Sequence, residues 1–368
     1  MKKKYNCVIV GGGIAGVSAA LTLARNNLSV LLIEKQCVLG GLATSGLINW
    51  YEPLCNGLGK QLIYGNAEEL LKLAAKYGST LDKNWVNIGK GEGRYATFFN
   101  HNIFTCELTK LLTESNVEIL FDTLFCNVKI NNNKISSVIL ETIEGTVEVQ
   151  CDYIIDSTGT ARVFSCCSLP VRNGQNYLSF YVHKAGNIDS NQYLRNWEIY
   201  GSNMSGYGQP KHIPLLTGNT IKDINDYIIN SHILFCNELE NKPRDENITS
   251  IPHMPQFRMI CSIVGEDTID NSYKNKHFND SICEFGYFLE PGNTFEIPYG
   301  SLYNKQITNL FAAGRIISAI DQGWDATRVI PVAALTGEIV AEAICILSIN
   351  NLENYNLDIN LLKNKFKR

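Results

Sequence analysis

Val8-Ile9-Val10-Gly11-Gly12-Gly13-Ile14-Ala15-Gly16-Val17-Ser18-Ala19-Ala20-Leu21 is the stretch whose reading decides the fold. Val8 to Val10 form an apolar strand. It runs into Gly-x-Gly-x-x-Gly at Gly11, Gly13 and Gly16, and a small-residue helix follows, with Ile14 and Ala15 in its first turn. A second strand, Ser29 to Ile33, ends at Glu34, about twenty residues beyond the glycines. Each part has a mechanical reason. Gly11 permits the tight turn, Gly13 lets backbone approach a pyrophosphate, and Gly16 lets helix and strand pack closely. The helix N-terminus presents N–H groups to phosphates. Glu34 is an acceptor for a ribose diol, and its charge would repel a 2′-phosphate. The pattern implies a dinucleotide.

The fingerprint alone does not separate NAD from FAD, and three further segments favour FAD. Glu34-Lys35 is followed by Leu39-Gly40-Gly41-Leu42-Ala43-Thr44, where a second glycine pair lets backbone run along a long cofactor. The strand Tyr153 to Asp156 ends in Ser157-Thr158-Gly159. Near the far end, Leu310-Phe311-Ala312-Ala313-Gly314-Arg315 is a strand ending in glycine, and Arg328-Val329-Ile330-Pro331-Val332 opens a helix. Pro331 suits a first helical position. That helix start would set partial positive charge at the flavin N1/O2 edge.

These blocks resemble the FAD-dependent oxidoreductase family of the glutathione-reductase-type flavoprotein superfold. The likeness includes Gly40 to Gly46, Pro53-Leu54-Cys55-Asn56-Gly57-Leu58-Gly59-Lys60-Gln61, Ile297 to Leu302, Ala313 to Ala319 and Arg328 to Pro331. Three positions depart from the family pattern: Asn56 where Asp is common, Asp321 near the place of a His, and Ile260-Cys261 where a second Arg commonly follows Arg258. The resemblance implies an α/β fold: a Rossmann-like FAD-binding domain with parallel sheet and β-meander, plus an interleaved mixed α+β substrate domain. The FAD-binding domain is expected over 1–164 and 301–350, with 42–100 covering the flavin. The substrate domain is expected over 165–300 and a tail over 351–368.

The chain has 368 residues, net charge −4 and 12 cysteines. This length fits one FAD domain with a substrate domain and leaves no room for a separate NAD(P)H domain. The glycine clusters Gly57-Leu58-Gly59 and Gly89-Lys90-Gly91-Glu92-Gly93 read as loops. The acidic balance offers no global field for nucleic acid. No C-x-x-C occurs, which argues against zinc, iron–sulfur or dithiol chemistry, and no metal is expected. Cysteine usage and the missing apolar signal region point to a reducing cytosol. The apolar stretch Val329–Leu347 contains Glu338 and Glu342, so a buried helix with one wet face is expected, not a membrane span. Lys363 to Arg368 read as a solvated tail.

Helices are expected at Ala67–Tyr77, Phe104–Glu114 and Ile221–Glu240. A meander is expected from Leu124–Ile130, Ile135–Glu141 and Thr146–Gln150, with Val128 as the backbone position meeting the adenine or an ordinary strand valine. Tyr177–Val182 and Phe257–Val264 read as strands, and Asn187–Asn196 and Asn241–Asn247 as linkers.

Four side chains are candidates for chemistry. Cys55 is either a thiol beside the flavin or a small buried hydrophobe, the commoner fate of cysteine. Cys166-Cys167 read as two reduced thiols. Arg328 either holds a substrate carboxylate and favours anionic reduced flavin, or pairs with Asp325 or Asp321. Arg258 either clamps an acid or makes a salt bridge. Tyr299 is a proton donor or core, and Trp324 an aromatic wall or core. The six histidines show no metal-ligand spacing. The function expected is oxidation or reduction of a small organic molecule by hydride transfer at FAD. The electron partner is NAD(P)H visiting without its own domain, or dioxygen. A tRNA-modifying flavoenzyme and a non-catalytic flavin-binding protein are the rival readings.

Overall fold

The computed structural model describes residues 2–76, 96–185, 197–203, 205–242 and 247–367. Tyr77, the loop Gly89–Gly93, the linker Asn187–Asn196 and residues 243–246 of the second linker fall outside them.

The main sheet has seven strands, labelled here in chain order: β1 Lys4–Val10, β2 Val30–Ile33, β3 Glu118–Leu120, β4 Leu124–Asn131, β5 Lys134–Thr142, β6 Gly145–Asp156 and β7 Leu310–Ala312. β3, β2, β1 and β6 are parallel neighbours in that order, and β7 adds parallel to β6. The Val, Ile and Leu residues of β1, β2, β7 and the Tyr153–Asp156 half of β6 are buried, as a covered parallel sheet requires, while edge strand β3 is only half-buried. β4 and β5 are antiparallel.

The sequence suggests separate strands at Thr146–Gln150 and Tyr153–Asp156; the structure joins them in β6. Its first half alternates exposed and buried residues and pairs with β5. From Tyr153 to Asp156 it is buried throughout, and from Gln150 it pairs in parallel with β1. No Gly or Pro interrupts residues 146–156, so nothing stops the meander strand continuing into the core sheet.

Helix Ile14–Arg25 covers one face of the sheet and packs on helix Ile330–Ile349. The approach is close: a Cβ on Gly337 would stand 2.2 Å from the Ala15 carbonyl oxygen. Ser18 Oγ donates to the Ala334 carbonyl at 2.6 Å. Helix Ile330–Ile349 is long and apolar enough to cross a membrane by length and composition, yet most of it is buried inside this fold. Glu338 accepts from the Asn66 amide at 2.8 Å, and Glu342 pairs with Lys365 at 3.3 Å.

Residues 165–300 hold smaller sheets. Ser179–Lys184 pairs with Trp197–Gly201 and Ile248–Ser250, and helix Ile221–Leu239 lays Phe235 against Phe180 and Tyr200. Val171–Asn173 pairs with Cys261–Ile263, a strand shorter than the expected Phe257–Val264. The expected tail is also corrected. Asp358 caps a helix, Ile359–Phe366, that buries Leu362 and bonds through Lys363 Nζ to the Asn279 carbonyl. Its apolar positions gave it somewhere to dock, which the basic run alone concealed.

Candidate functional site

A groove runs along the carboxyl ends of β1, β2 and β6, where open α/β sheets bind ligands. Gly11 has φ +106°, and a Cβ there would stand 2.6 Å from the Ser157 carbonyl oxygen. Gly13 is different. Its φ of −67° suits any residue, and a Cβ would find nothing nearer than 4.0 Å, so any side chain added there fills the groove. Gly16 does not line the groove; its Cβ would meet the Gly11 carbonyl oxygen at 2.1 Å. The helix starting at Ile14 has no side-chain cap, and Ile14 and Ala15 line the groove at its first turn.

Glu34 lines the groove and is 8% exposed. Its Oε2 accepts from Gly12 N at 2.7 Å and its Oε1 from Gln36 N at 2.9 Å. Burial raises its pKa, and those backbone bonds oppose the rise. The carboxylate therefore fixes two backbone turns while keeping acceptor capacity toward the groove.

Lys35, Gly40, Gly41, Leu42 and Ala43 continue the lining, and Gly40 N bonds to the Gly12 carbonyl at 2.8 Å. Thr44 does not line it; its hydroxyl turns inward to the Leu39 carbonyl at 2.5 Å. Ser157, Thr158 and Gly159 line the opposite side, with Ser157 Oγ tied to the Gly11 carbonyl at 2.7 Å.

At the other end stand Gly314, Arg315 and Arg328. Arg315 is held by the carbonyls of Gly159, at 2.9 Å, and Phe257, and burial pushes its pKa down to about 10. Pro331 and Val332 are buried and turn away, while Ile330 and Ala333 face the groove from the same first turn. Val128 does not line it either. It is a half-buried meander residue opposite Val138, the ordinary strand valine.

The candidates for chemistry separate. Cys55 is buried away from the groove lining, and burial pushes its thiol up to about 12, so it is no thiolate at neutral pH. Tyr299 is likewise in the core: its hydroxyl donates to the Asn354 carbonyl at 2.8 Å, among Tyr303 and Phe311. Trp324 is core too, with Nε1 on the Arg315 carbonyl at 2.8 Å. Arg258 lies in a bend and not on a strand, with its guanidinium 5.4 Å from the Tyr181 ring centre. Arg328 lines the groove and pairs with Asp325, Nε and Nη2 both donating to Oδ1, the former at 2.8 Å. Burial lowers the pKa of Arg258, and the Arg328 charge adds to the fall; Arg258 does not line the groove. All 12 cysteines are free, Cys166 and Cys167 included. Among the described residues no cluster of His, Cys, Asp and Glu suits a metal ion.

Sequence reasoning missed part of the lining: Thr160, Gly218, Ile224, Met254, Pro255, Phe257 and Ile260. Most come from irregular segments; Ile224 lies in the first turn of helix Ile221–Leu239, whose sequence marks a helix but not which face meets the groove. With them the groove has a glycine cradle, uncapped helix amides, an acid at one end and apolar walls. That donor set fits a dinucleotide extended from Glu34 to Arg328.

Comparison with known proteins agrees. A family model described as FAD dependent oxidoreductase matches residues 6–247 and 265–366. Digeranylgeranylglycerophospholipid reductase 1 of Methanococcoides burtonii is 26% identical over 171 residues, which are 43% of this chain and 38% of that protein. Thioredoxin reductase of Ureaplasma parvum is 35% identical over 69 residues, 19% of this chain and 22% of that protein. Each match thus spans well under half of the relative. A geranylgeranyl bacteriochlorophyll reductase-like protein of Thermoplasma acidophilum has a similar structure at 12% identity and a TM-score of 0.47, over 99% of this chain and 82% of that one.

Proposed function

The chain belongs to the FAD-dependent oxidoreductase family, and from that premise we propose that it oxidises or reduces a small organic molecule by hydride transfer at FAD. The groove carries this reading: one continuous cleft joins the fingerprint glycines to Arg328 and the start of helix Ile330–Ile349. FAD supplies the two-electron chemistry when bound. The chain supplies placement. Gly13 and the amides after it would hold the pyrophosphate, and Glu34 the adenosine ribose. Gly40 to Ala43 and Ser157 to Gly159 would flank the ribityl chain, and Gly314, Arg315 and Ile330 the flavin.

Residues 1–164 and 301–350 form, in this proposal, the FAD-binding domain, and 165–300 the substrate domain. Side-chain ties join them: Gln256 Nε2 donates to the Gly46 carbonyl at 2.7 Å, and His183 Nε2 meets the Leu47 carbonyl at 3.1 Å. These ties support a second wall that excludes water from the reacting centre. The electron partner we propose is a visiting NAD(P)H or dioxygen, and the setting cytoplasmic, in keeping with 12 unpaired thiols. The test is direct. Purified protein should be yellow and release FAD on denaturation, identified by mass spectrometry; release of FMN or NAD would reject the reading.

A further inference from the structure

Arg328 offers more than its ion pair uses. A guanidinium carries five N–H donors on two edges and a tip. The Nε and Nη2 donors are both engaged by one oxygen of Asp325. Among the described residues Nη1 has no acceptor, although the side chain is only 14% exposed and lines the groove. One edge of the fork is therefore held in place and the other is left for a ligand. Phe288 lies beside the guanidinium, 5.8 Å from its ring centre, and Tyr287 donates to Asp325 Oδ2 at 3.4 Å. Arg258 and Arg315 both feel the Arg328 charge. Arg315 lines the groove with Arg328, and the carboxylate bonded to Arg328 is Asp325. A half-buried, aromatic-sided fork with a spare edge is built for a planar oxyanion, where low dielectric strengthens charge-assisted bonds.

We propose that the free edge of Arg328 binds the carboxylate of the substrate, so that this enzyme acts on a small organic acid. The inference rests on the flavin reading of the groove and names the substrate class for it. Asp325 orients the fork and competes with the incoming carboxylate for its charge.

The experiment uses the FAD-loaded protein and follows the visible flavin spectrum during titration with benzoate, and with benzyl alcohol as the uncharged counterpart. Benzoate should give a saturable change and benzyl alcohol none. Arg328→Met should weaken benzoate binding about 10- to 150-fold, the loss of a charge-assisted hydrogen bond, with FAD retained. Asp325→Asn keeps the size of the side chain and removes the competing charge, so it should tighten benzoate several-fold. This arm decides the matter if Arg328→Met fails to fold. Benzoate affinity unchanged or weakened in Asp325→Asn, or no benzoate response in the wild type, overturns the proposal. So does a shift in flavin reduction potential in Arg328→Met with benzoate affinity intact, which would assign the guanidinium to the flavin. Colourless wild-type protein overturns the flavin reading, and this inference falls with it.

Discussion

The two walls of the groove are made by opposite means. The first comes from one continuous run, Val8 to Glu34, and its shape is set by backbone: a left-handed Gly11, an open Gly13, a Gly16 pressed against Gly11, and Glu34 bonded to two amides. The second is assembled from Gly218, Ile224, Met254, Pro255, Phe257, Ile260, Arg315 and Arg328. It is held by side chains such as Gln256, His183 and Arg315, which reach backbone carbonyls far away in sequence. A wall made mostly of backbone is specified locally, and Glu34 is the one ionisable group among Gly11, Gly13, Gly16 and Glu34. A wall made of side chains depends on the whole fold and responds to pH.

The largest expected effect tests the first wall by separating two glycines three residues apart. Gly13→Val adds a side chain into open groove at a φ of −67°. FAD affinity should fall by roughly 1000-fold, about 4 kcal/mol, while the thermal midpoint of the apoprotein stays near that of the wild type. Gly16→Ala should do the reverse. Its Cβ would sit 2.1 Å from the Gly11 carbonyl oxygen. We expect about 3 kcal/mol of destabilisation from overpacking, read from denaturant midpoints of the apoprotein. Equal losses of stability in both variants would break the distinction between cradle and packing glycine.

This contrast also explains what could be read from the sequence. The strand, glycine turn, helix and acid were legible because each is specified by neighbours within about thirty residues. β6 was legible only in halves, because its change of partner from β5 to β1 is a property of the sheet and not of the residues. Val128 stayed open between two readings, because a meander valine carries no mark of where its strand will lie, and the structure places it opposite Val138, outside the groove lining. Cys55 and Tyr299 matched family blocks, yet burial put both side chains outside the groove lining. The sequence left Asp325 and Asp321 equal as partners for Arg328; helical spacing of three chose Asp325. Phe257 to Ile260 read as the start of a strand, and the structure makes them irregular ahead of Cys261–Ile263, so the place of Met254, Pro255, Phe257 and Ile260 in the lining shows only when the distant first wall is beside them.

The second wall should weaken in acid. His183, bonded to the Leu47 carbonyl, has its ring 5.0 Å from that of His101. Burial, then the charges of His183 and His253, push the His101 pKa down to about 4. The sign follows from linkage. The folded pKa lies below the unfolded value of about 6.5, so the native state binds fewer protons. The contribution is present above pH 6.5 and is lost as pH falls toward 4. It is on the order of 2 kcal/mol after allowance for partial exposure. Denaturant midpoints should therefore fall less between pH 7 and pH 4.5 in His101→Phe than in the wild type. Identical pH profiles would show that this seam does not titrate with His101.

The smallest expected effect concerns Tyr299, which the family blocks brought forward as a proton donor and the fold seats in the core. Its pKa is raised well above 10 by burial, with Tyr303 and Tyr153 adding to the rise, so it stays a neutral phenol at any working pH. Its proton is directed at the Asn354 carbonyl, in the segment leading to the C-terminal helix. Tyr299→Phe should cost about 1–2 kcal/mol: one buried hydrogen bond is lost and a carbonyl loses that donor. The rate of flavin reduction and the flavin potential should not change. Such a result would assign Tyr299 to the docking of the C-terminal segment. The opposite result, a slower reaction at unchanged stability, would bring Tyr299 into the chemistry, and the second wall would then extend beyond the residues that line the groove.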